Sequence, residues 1–281
     1  MNELGLVARI GRKQHTRDPR LIAGIGDDCA IWRPAPGEDL LFTTDFLIED
    51  VHFKRGLYSA ADIGHKALAR GLSDIAAMGG DARFCLLSLA LAPSCDAGWV
   101  DRFYGGLLKL AARFGVSLAG GDLSHADRVL CDIVVCGAAP RGKALRRDGA
   151  RAGDAIYVSG RLGRDWRQYR RPAPRIDFGL KLRGRATACM DLSDGVSLDL
   201  HRLALASGVA ASLDSIPVRR GATLEQALHG GEDYELLFTM RAGATPPRGA
   251  IRIGAIIEGQ PGLVLLNGEP LPPRGYDHFR K

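Results

Sequence analysis

Residues 59–91 read SAADIGHKALARGLSDIAAMGGDARFCLLSLAL, and this stretch decides the fold class. Ser59 and Asp62 form a capping box, and apolar or small residues then recur at helical spacing until the Gly79–Gly80 pair ends the helix. An apolar run, Cys85–Leu91, follows almost at once and is typical of a strand. A helix that leads directly into a strand predicts an α/β or α+β chain.

The alternation of strands and helices continues on both sides of this stretch. Strands are predicted at Leu40–Thr44 and Leu130–Cys136. Asp96 is placed to cap a second helix, which ends at Gly115. These elements form a first predicted domain, residues 1–139.

A second half begins near Pro140, so we expect a second domain, residues 140–281. A helix is predicted from about Val196 to Ser207, ending at Gly208. Strands are predicted at Ala155–Ser159, Ala210–Leu213, Glu235–Met240, Ile251–Ile256 and Leu263–Leu266, the last followed by an Asn267-Gly268 hairpin turn.

Size and composition indicate a globular chain. It has 281 residues, 46% of them hydrophobic, which is enough for a full core, and its formal charge of +6 alone favours no partner. The six cysteines form no C-x-x-C pair, so we interpret them as buried small hydrophobic residues in a reducing compartment. No apolar run approaches the ~20 residues of a membrane span, and the N-terminus has no signal-peptide core. We therefore expect a cytoplasmic protein without a membrane partner.

Aspartates recur beside glycines or hydroxyl residues at the ends of short apolar runs. Glycine lets a ligand approach the backbone, and strand ends are where open α/β sheets place their sites. The alternative is that Gly-Asp is ordinary turn chemistry. The five instances are Ile25–Asp28, Thr43–Asp45, Gly120–Asp122, Met190–Asp194 and Gly230–Asp233.

Asp74 differs because it lies inside the predicted helix. It follows Arg70 by one turn and Lys66 by two, so the three share a face. That face is either a solvated, salt-bridged stripe or the border of the acidic site.

The number of carboxylates predicts a divalent metal. Gathered without counter-ions, they would raise one another's pKa and destabilise the fold. Mg²⁺ prefers oxygen ligands and takes one or two carboxylates together with substrate phosphates. No zinc-type His/Cys cluster, P-loop or kinase glycine loop is present in the sequence. Arg147 is either a cation for the phosphates or a surface arginine.

Together these motifs resemble the thiamine-monophosphate kinases. They run in that family's order from about residue 24 to residue 279. The matching segments are Ile25–Ala30 (IGDDCA), Thr43–Asp45 with Val51–Phe53, Lys66–Gly79, Gly120–Asp122, Gly153–Gly160 (GDAIYVSG), Asp191–Gly195 (DLSDG), Gly230–Leu237 (GGEDYELL) and Tyr276–Phe279 (YDHF).

The resemblance implies both a fold and a reaction. The fold is the two-domain arrangement of aminoimidazole ribonucleotide synthetase, with N-terminal sheets that join across a homodimer and a C-terminal α/β domain. The reaction is direct transfer of the ATP γ-phosphoryl group to thiamine monophosphate, giving thiamine diphosphate, with several Mg²⁺ ions and no covalent enzyme intermediate.

The resemblance also implies roles for individual residues. The metal ligands would be Asp28, Thr43, Thr44, Asp45, Asp74, Asp122, Asp191 and Asp194, with Asp45, Asp74, Asp122 and Asp194 catalytic. The ATP contacts would be Gly121, Asp122, Arg147 and Ser193. The thiamine phosphate contacts would be His52, Glu232, Asp233, Tyr276 and Phe279.

Three departures from the family pattern leave alternatives open. The stretch after Gly160 is short and becomes an arginine-rich segment, Arg161–Arg185; Leu123–His125 replaces a threonine-rich loop; and Asp50 stands where glycine is common. The alternatives are another ATP-dependent enzyme of the same superfamily, a nucleic-acid-binding protein that uses the arginine-rich segment, and a member that has lost catalysis. We expect ATP and thiamine monophosphate as partners and no nucleic acid.

Overall fold

A computed structural model describes residues 3–13, 18–25, 29–165, 167 and 169–276. The chain divides into two compact units. The first comprises Met1–Ile75, Asp81–Gly142 and Arg170–Ala173, and the second comprises Ala76–Gly80, Lys143–Tyr169 and Pro174–Lys281. The main break, after Gly142, lies three residues from the predicted boundary. Two short segments depart from this simple division: Ala76–Gly80 belongs to the second unit, and Arg170–Ala173 belongs to the first.

The described residues of the first unit form a four-stranded sheet, a two-stranded ribbon and three helices. The elements are α1 (Glu3–Lys13), β1 (Leu21–Ala23), β2 (Ile31–Trp32), β3 (Glu38–Ile48), α2 (Ala60–Ala77), β4 (Asp81–Leu91), α3 (Ala97–Phe114), β5 (Ser117–His125) and β6 (Leu130–Pro140). The sheet order is β3-β6-β4-β5, in which only β4 and β5 are parallel. The helix α3 joins these two parallel strands, as a crossover connection requires.

The predicted caps of α2 and α3 are confirmed. The Ser59 and Asp62 side chains bond each other's backbone N–H groups, and Asp96 accepts from the Trp99 N–H. The two helices approach closely at Gly64 and Gly106. A Cβ at either position would overlap the backbone of the facing helix, so glycine is what permits this contact. The fully buried core of this unit includes Leu68, Leu72, Leu87, Phe103 and Leu107.

One face of the four-stranded sheet carries α2, as the close approach of Gly71 to Val135 shows. The β1–β2 ribbon lies on the opposite face, where Trp32 packs on Phe84 with ring centroids 5.0 Å apart. The rest of that opposite face is open in the described residues, and Phe42 and Phe46 are 64% and 60% exposed.

In the second unit, the described residues form a seven-stranded sheet of order β13-β12-β9-β11-β7-β10-β8, in which β9 and β12 are the one parallel pair. Ile156, Leu200, Leu203 and Leu237 lie in its core. Its elements are β7 (Ala155–Val158), α4 (Ile176–Leu182), β8 (Ala188–Asp191), α5 (Val196–Ser207), β9 (Ala210–Leu213), α6 (Leu224–His229), β10 (Leu236–Met240), β11 (Ile251–Ile257), β12 (Val264–Leu266) and β13 (Glu269–Pro270).

Two local predictions in this unit are confirmed. The helix α5 spans Val196–Ser207, and Gly208 ends it in the left-handed conformation at φ 70°. Asn267 and Gly268 both have positive φ and join β12 to β13, as the hairpin turn requires. Among the residues that the structure describes, no helix combines the length and the apolar character needed to cross a membrane.

Candidate active site

Three of the predicted metal ligands meet between β3 and α2. The Thr43 hydroxyl donates to the Asp74 carboxylate, and Asp45 pairs with Arg70 at 3.1 Å. Lys66 is fully buried, so the interpretation of this helix face as a solvated stripe is wrong. Asp74 therefore borders the acidic cluster.

Asp45 is electrostatically strained. Burial raises its pKa, the nearby Arg70 lowers it and Asp74 raises it, with a net value of about 6 instead of 3.8. The raised pKa means that ionised Asp45 is less stable here than it would be in water. A cation bound next to it would offset that cost. The cluster is thus prepared for a positively charged ligand.

The prediction that Asp45 ends its strand is wrong. The strand β3 continues through Phe46, Leu47 and Ile48, which stay paired with β6. The polar Thr-Thr-Asp run interrupts the apolar pattern without interrupting the ladder, since side chains of successive residues point to opposite faces. Asp122 likewise lies inside β5 and not in a turn, because Leu123–His125 remain paired with β4.

This alternation separates Thr44 from Thr43. The Thr44 hydroxyl donates to Asp132 at 2.6 Å, and Asp132 lies opposite Phe46 and Ser88 in the ladder. Ser88 in turn lies opposite Asp122, so Phe46, Asp132, Ser88 and Asp122 form one row across the open face of the sheet. The hydroxyls of Thr43 and Thr44 therefore serve opposite faces. Asp132 is an acid that the sequence reasoning missed, because it lies in an apolar strand without a glycine neighbour.

Gly121 and Asp122 line a cleft of about 250 Å³ at the edge of the same sheet. The remaining walls are mostly apolar and include Ile25, Tyr104 and Leu118. Gly121 has φ 149°, and a Cβ there would overlap the Leu87 backbone, so only glycine fits this position. Tyr104 was not predicted, because on sequence it is one more apolar position of α3.

In the second unit, Asp191 ends β8, and Ser193 and Asp194 lie in the turn that follows. Its backbone is held by Asp199, whose carboxylate accepts from the Ser193 and Asp194 N–H groups at 3.1 and 3.0 Å. Arg202 bridges Asp194 at 2.5 Å and Asp199 at 3.0 Å. Burial raises the pKa of Asp199 to about 7, and the Asp194 N–H acts against this rise. The helical spacing of Asp199 and Arg202 was the available signal for these supporting residues.

The segment with Glu232 and Asp233 is held in place by two backbone N–H groups of the arginine-rich segment. Both Asp233 oxygens accept from the Gly163 N–H at 3.0–3.1 Å, and the Arg164 N–H donates to one of them at 2.9 Å. Glu232 stands in the left-handed region at φ 66° and is half-buried. These contacts occupy the carboxylate of Asp233 with the backbone, which favours Glu232 over Asp233 as the residue that meets a ligand.

His52 is buried and its ring is oriented by the backbone. The Ile48 N–H donates to its Nδ1 at 3.0 Å, so the neutral ring carries its proton on Nε2. The Lys66 amine donates to the His52 carbonyl at 2.9 Å and lies over the Tyr58 ring. Lys66 thereby fixes the backbone of a predicted substrate residue from within the core.

The other predicted residues are placed as follows. Arg147 is exposed, and its carbonyl accepts from the Ser207 hydroxyl at 2.8 Å. The Tyr276 N–H donates to the Asp194 carbonyl at 3.1 Å, and its side chain is 45% exposed. Asp28 and Phe279 lie outside the described residues.

The oxygen donors in the first unit are of the kind that Mg²⁺ prefers: carboxylates and hydroxyls, with no thiolate among them. Within residues 3–13, 18–25, 29–165, 167 and 169–276, no three acidic, histidine or cysteine side chains are already gathered around one point. That finding is compatible with Mg²⁺, which usually takes one or two carboxylates and keeps water or phosphate oxygens as its other ligands.

Comparison with known proteins gives the class first. The family described as AIR synthase related protein, N-terminal domain, matches residues 26–142. The four-stranded sheet with its acidic strands lies in this range, so the fold and the site define an AIR synthase-related protein.

Relatives along the whole chain give the family. The thiamine-monophosphate kinase of Salmonella typhimurium is 34% identical, over 99% of this chain and 98% of its own. The thiamine-monophosphate kinase structure from Stenotrophomonas maltophilia is 35% identical with a TM-score of 0.84, covering 96% of this chain and 98% of that one. The structure of AaThiL complexed with AMPPCP and TMP is 31% identical with a TM-score of 0.81, covering 99% and 97%. The chain belongs to the thiamine-monophosphate kinase family.

Proposed function

We propose that this chain transfers the γ-phosphoryl group of ATP to thiamine monophosphate, giving thiamine diphosphate and ADP, with Mg²⁺ ions bound to its aspartates. The observation that carries the proposal is the similarity to thiamine-monophosphate kinases over 99% of the chain. The meeting of Thr43, Asp45 and Asp74 between β3 and α2 supports it independently.

The residues present fit Mg²⁺. Thr43, Asp45 and Asp74 would hold it on the helix side of the sheet, and the Thr44 hydroxyl on β3 and Asp122 on β5 would offer separate ligands at the two edges of the opposite face. Asp28 in the first unit and Asp191 and Asp194 in the second are the other proposed donors. When bound, the ions neutralise phosphate charge that carboxylates alone would repel.

The remaining work of the site is positioning. An oxygen of the thiamine phosphate attacks the γ-phosphorus, the bond to the β,γ-bridging oxygen breaks, and ADP leaves with the electron pair. His52 would donate from Nε2 to the phosphate of the acceptor, and Arg147 would neutralise ATP. Ser193 would bind ATP from a turn that Asp199 already holds rigid. Such preorganisation is the main contribution a protein can make to phosphoryl transfer.

The cleft beside Gly121 and Asp122 would accept the nucleoside of ATP. Its apolar walls, including Ile25 and Leu118, suit a flat base, and Tyr104 offers an aromatic contact. Asp122 would then lie next to the bound nucleotide.

The test is direct. Protein is incubated with ATP, Mg²⁺ and thiamine monophosphate, and the products are separated by chromatography. We expect thiamine diphosphate and ADP in equal amounts. ADP without thiamine diphosphate, together with turnover of the aminoimidazole ribonucleotide synthetase substrate, would support the other superfamily enzyme. No ADP with any acceptor would support the hypothesis of a fold that has lost catalysis.

We also propose a homodimer formed through the open face of the four-stranded sheet. Phe42 and Phe46 are more than half exposed there, and a sheet face of this kind is usually covered. Light scattering should give twice the mass of the chain, and Phe46→Ser should shift the equilibrium towards the monomer. A monomeric parent protein at micromolar concentration would exclude the dimer.

Nucleic acid is not among the proposed partners. Arg164 and Arg175 contact the buried Glu235, and Arg171 pairs with Asp62 at 2.5 Å, so these arginines serve internal ion pairs. A salt-dependent gel shift at sub-micromolar protein would contradict this. The cytoplasmic location remains a prediction, supported by six free cysteines, all of which lie in the described part of the chain.

A further inference from the structure

The last described residues, Arg274–Tyr276, lie against the turn that carries Asp194. The Tyr276 N–H donates to the Asp194 carbonyl at 3.1 Å. A Cβ at Gly275 would lie 2.5 Å from that carbonyl oxygen and 2.7 Å from the Leu198 Cβ. Only glycine permits so close an approach, and the segment is therefore fitted to the turn.

Two side chains hold the start of this segment by its backbone. The Ser197 hydroxyl donates to the Arg274 carbonyl at 2.9 Å, and His229 Nδ1 lies 2.6 Å from the same oxygen. Because a carbonyl oxygen only accepts, Nδ1 carries a proton and donates. Ser197 Oγ also lies 2.7 Å from Nδ1, so the three groups form one closed network.

The opposite edge of the His229 ring is held by the same residue. The Arg274 guanidinium lies 3.1 Å from Nε2 and 3.4 Å from the Glu225 carboxylate. Arg274 is thus bound through its carbonyl on one side of the ring and through its side chain on the other. Ser197 is fully buried and the His229 side chain is 9% exposed, which limits the access of water to their contacts with the Arg274 carbonyl, whereas the Arg274 and Glu225 side chains are 61% and 65% exposed.

These contacts have been given no role in the reaction so far, but they lie next to two residues that have one. Asp194 is a proposed metal ligand, and Tyr276 is a proposed contact to thiamine phosphate. We propose that His229 and Ser197 are positioning residues, which clasp Arg274 and so hold Tyr276 at the Asp194 turn for the acceptor substrate. This inference rests on the proposed function and adds the device that places the acceptor-binding end of the chain.

The first experiment uses steady-state kinetics of His229→Ala. We expect KM for thiamine monophosphate to rise about ten-fold, equivalent to about 1.4 kcal/mol, while KM for ATP changes less than two-fold. His229→Asn should restore most of the affinity, because an amide can still donate to the Arg274 carbonyl. The matched control is His201→Ala, which removes the same kind of contact, Nδ1 to the Gly262 carbonyl at 2.7 Å, elsewhere in the unit.

A double-mutant cycle tests whether His229 acts through the segment. A chain that ends at Arg274 lacks Tyr276, so adding His229→Ala to it should change KM for thiamine monophosphate no further. Additive effects, an equal rise of both KM values, or no restoration by His229→Asn would overturn the proposal.

Hydrogen exchange separates this inference from the proposed function. The Tyr276 amide is bonded to Asp194, and His229→Ala should raise its exchange rate at least ten-fold whether or not the protein turns over thiamine monophosphate. His201→Ala should leave that rate unchanged. Unaltered exchange at Tyr276 would refute the clasp even in an active kinase, whereas a parent protein that makes no thiamine diphosphate would refute only the activity.

Discussion

Replacing Asp45 with asparagine tests the centre of the proposed site. The substitution keeps the volume of the side chain and its ability to accept from Arg70, which lies 3.1 Å away. It removes one negative charge from the cluster that includes Asp74. A metal ligand and a structural aspartate respond to this change in opposite ways.

The expected change in stability follows from the pKa of Asp45, which burial raises from 3.8 to about 6. This difference corresponds to about 3 kcal/mol at ~1.36 kcal/mol per unit. Because the folded protein holds the proton more tightly than the unfolded chain, its stability falls as pH rises from about 4 to 6 and stays lowered above that. Without metal, Asp45→Asn should therefore stabilise the protein by up to about 3 kcal/mol at pH 8 and by almost nothing at pH 4.

The assays are thermal unfolding in EDTA at the two pH values and initial rates of thiamine diphosphate formation across a Mg²⁺ titration. We expect kcat to fall on the order of 10²-fold or more, because the metal supplies several kcal/mol to the transition state. The Mg²⁺ concentration for half-maximal rate should also rise. The matched control is Asp39→Asn, the same chemical change on the same strand, where Asp39 accepts only from the Gly142 N–H among the contacts described.

Three results would refute this reasoning. Normal turnover of Asp45→Asn at low millimolar Mg²⁺ would remove Asp45 from the metal ligands and weaken the assignment of Asp74. A loss of stability at pH 8 in EDTA, with activity retained per folded molecule, would identify a structural aspartate. The same pH-dependent stabilisation in Asp39→Asn would show that the effect is not specific to the cluster.

Three further predictions concern other parts of the site. His52→Ala should raise KM for thiamine monophosphate more than KM for ATP, because the ring that the Ile48 N–H orients is assigned to the acceptor; steady-state kinetics with each substrate varied check this, and equal effects would exclude it. Arg147→Ala should lower kcat/KM for ATP at least ten-fold, about 1.4 kcal/mol, and an unaltered value would make it a surface residue. Glu235→Gln should lower the free energy of unfolding in urea by about 2 kcal/mol, because it removes the charge of a carboxylate that is 1% exposed and bonded to the half-buried Arg175; an unchanged midpoint would contradict that.

The parts of the fold that could be predicted have local signals. Helix α5 was predicted from about Val196 to Ser207 and spans these residues, because its apolar face ends at Gly208, whose left-handed conformation stops the helix. Strand β9 was also predicted correctly, at Ala210–Leu213, because this short run begins two residues after the Gly208 cap. Strand β5 was not predicted, because two glycines and Asp122 interrupt its apolar pattern while its neighbour β4 keeps it extended. Pairing partners decide such a strand, and they are distant in the sequence.

The candidate site could likewise be predicted only where the signal was local in the sequence. Motifs identified the acidic residues but not the face of the sheet on which each lies, because a strand that continues past Asp45 sends Thr43 and Thr44 to opposite sides. Tertiary partners were beyond reach as well. Asp199 supports the Ser193 turn from within a helix, and Asp132 contacts Thr44 from a neighbouring strand.

The arginine-rich segment shows how charge can mislead when its partners are unknown. On sequence it resembles a surface for phosphate backbones. In the structure, Arg175 binds Glu235 through two hydrogen bonds of 2.7 and 2.5 Å, and Glu235 also accepts from Ser159. The Arg164 guanidinium lies 3.7 Å from the centre of the Tyr169 ring. Asp233 and Glu235 lie on either side of Tyr234 in one acidic motif, and both bind the arginine-rich segment. The segment is therefore held close in sequence to Glu232. A shortened segment anchored in this way is compatible with the proposed role of Glu232 as a contact to the acceptor.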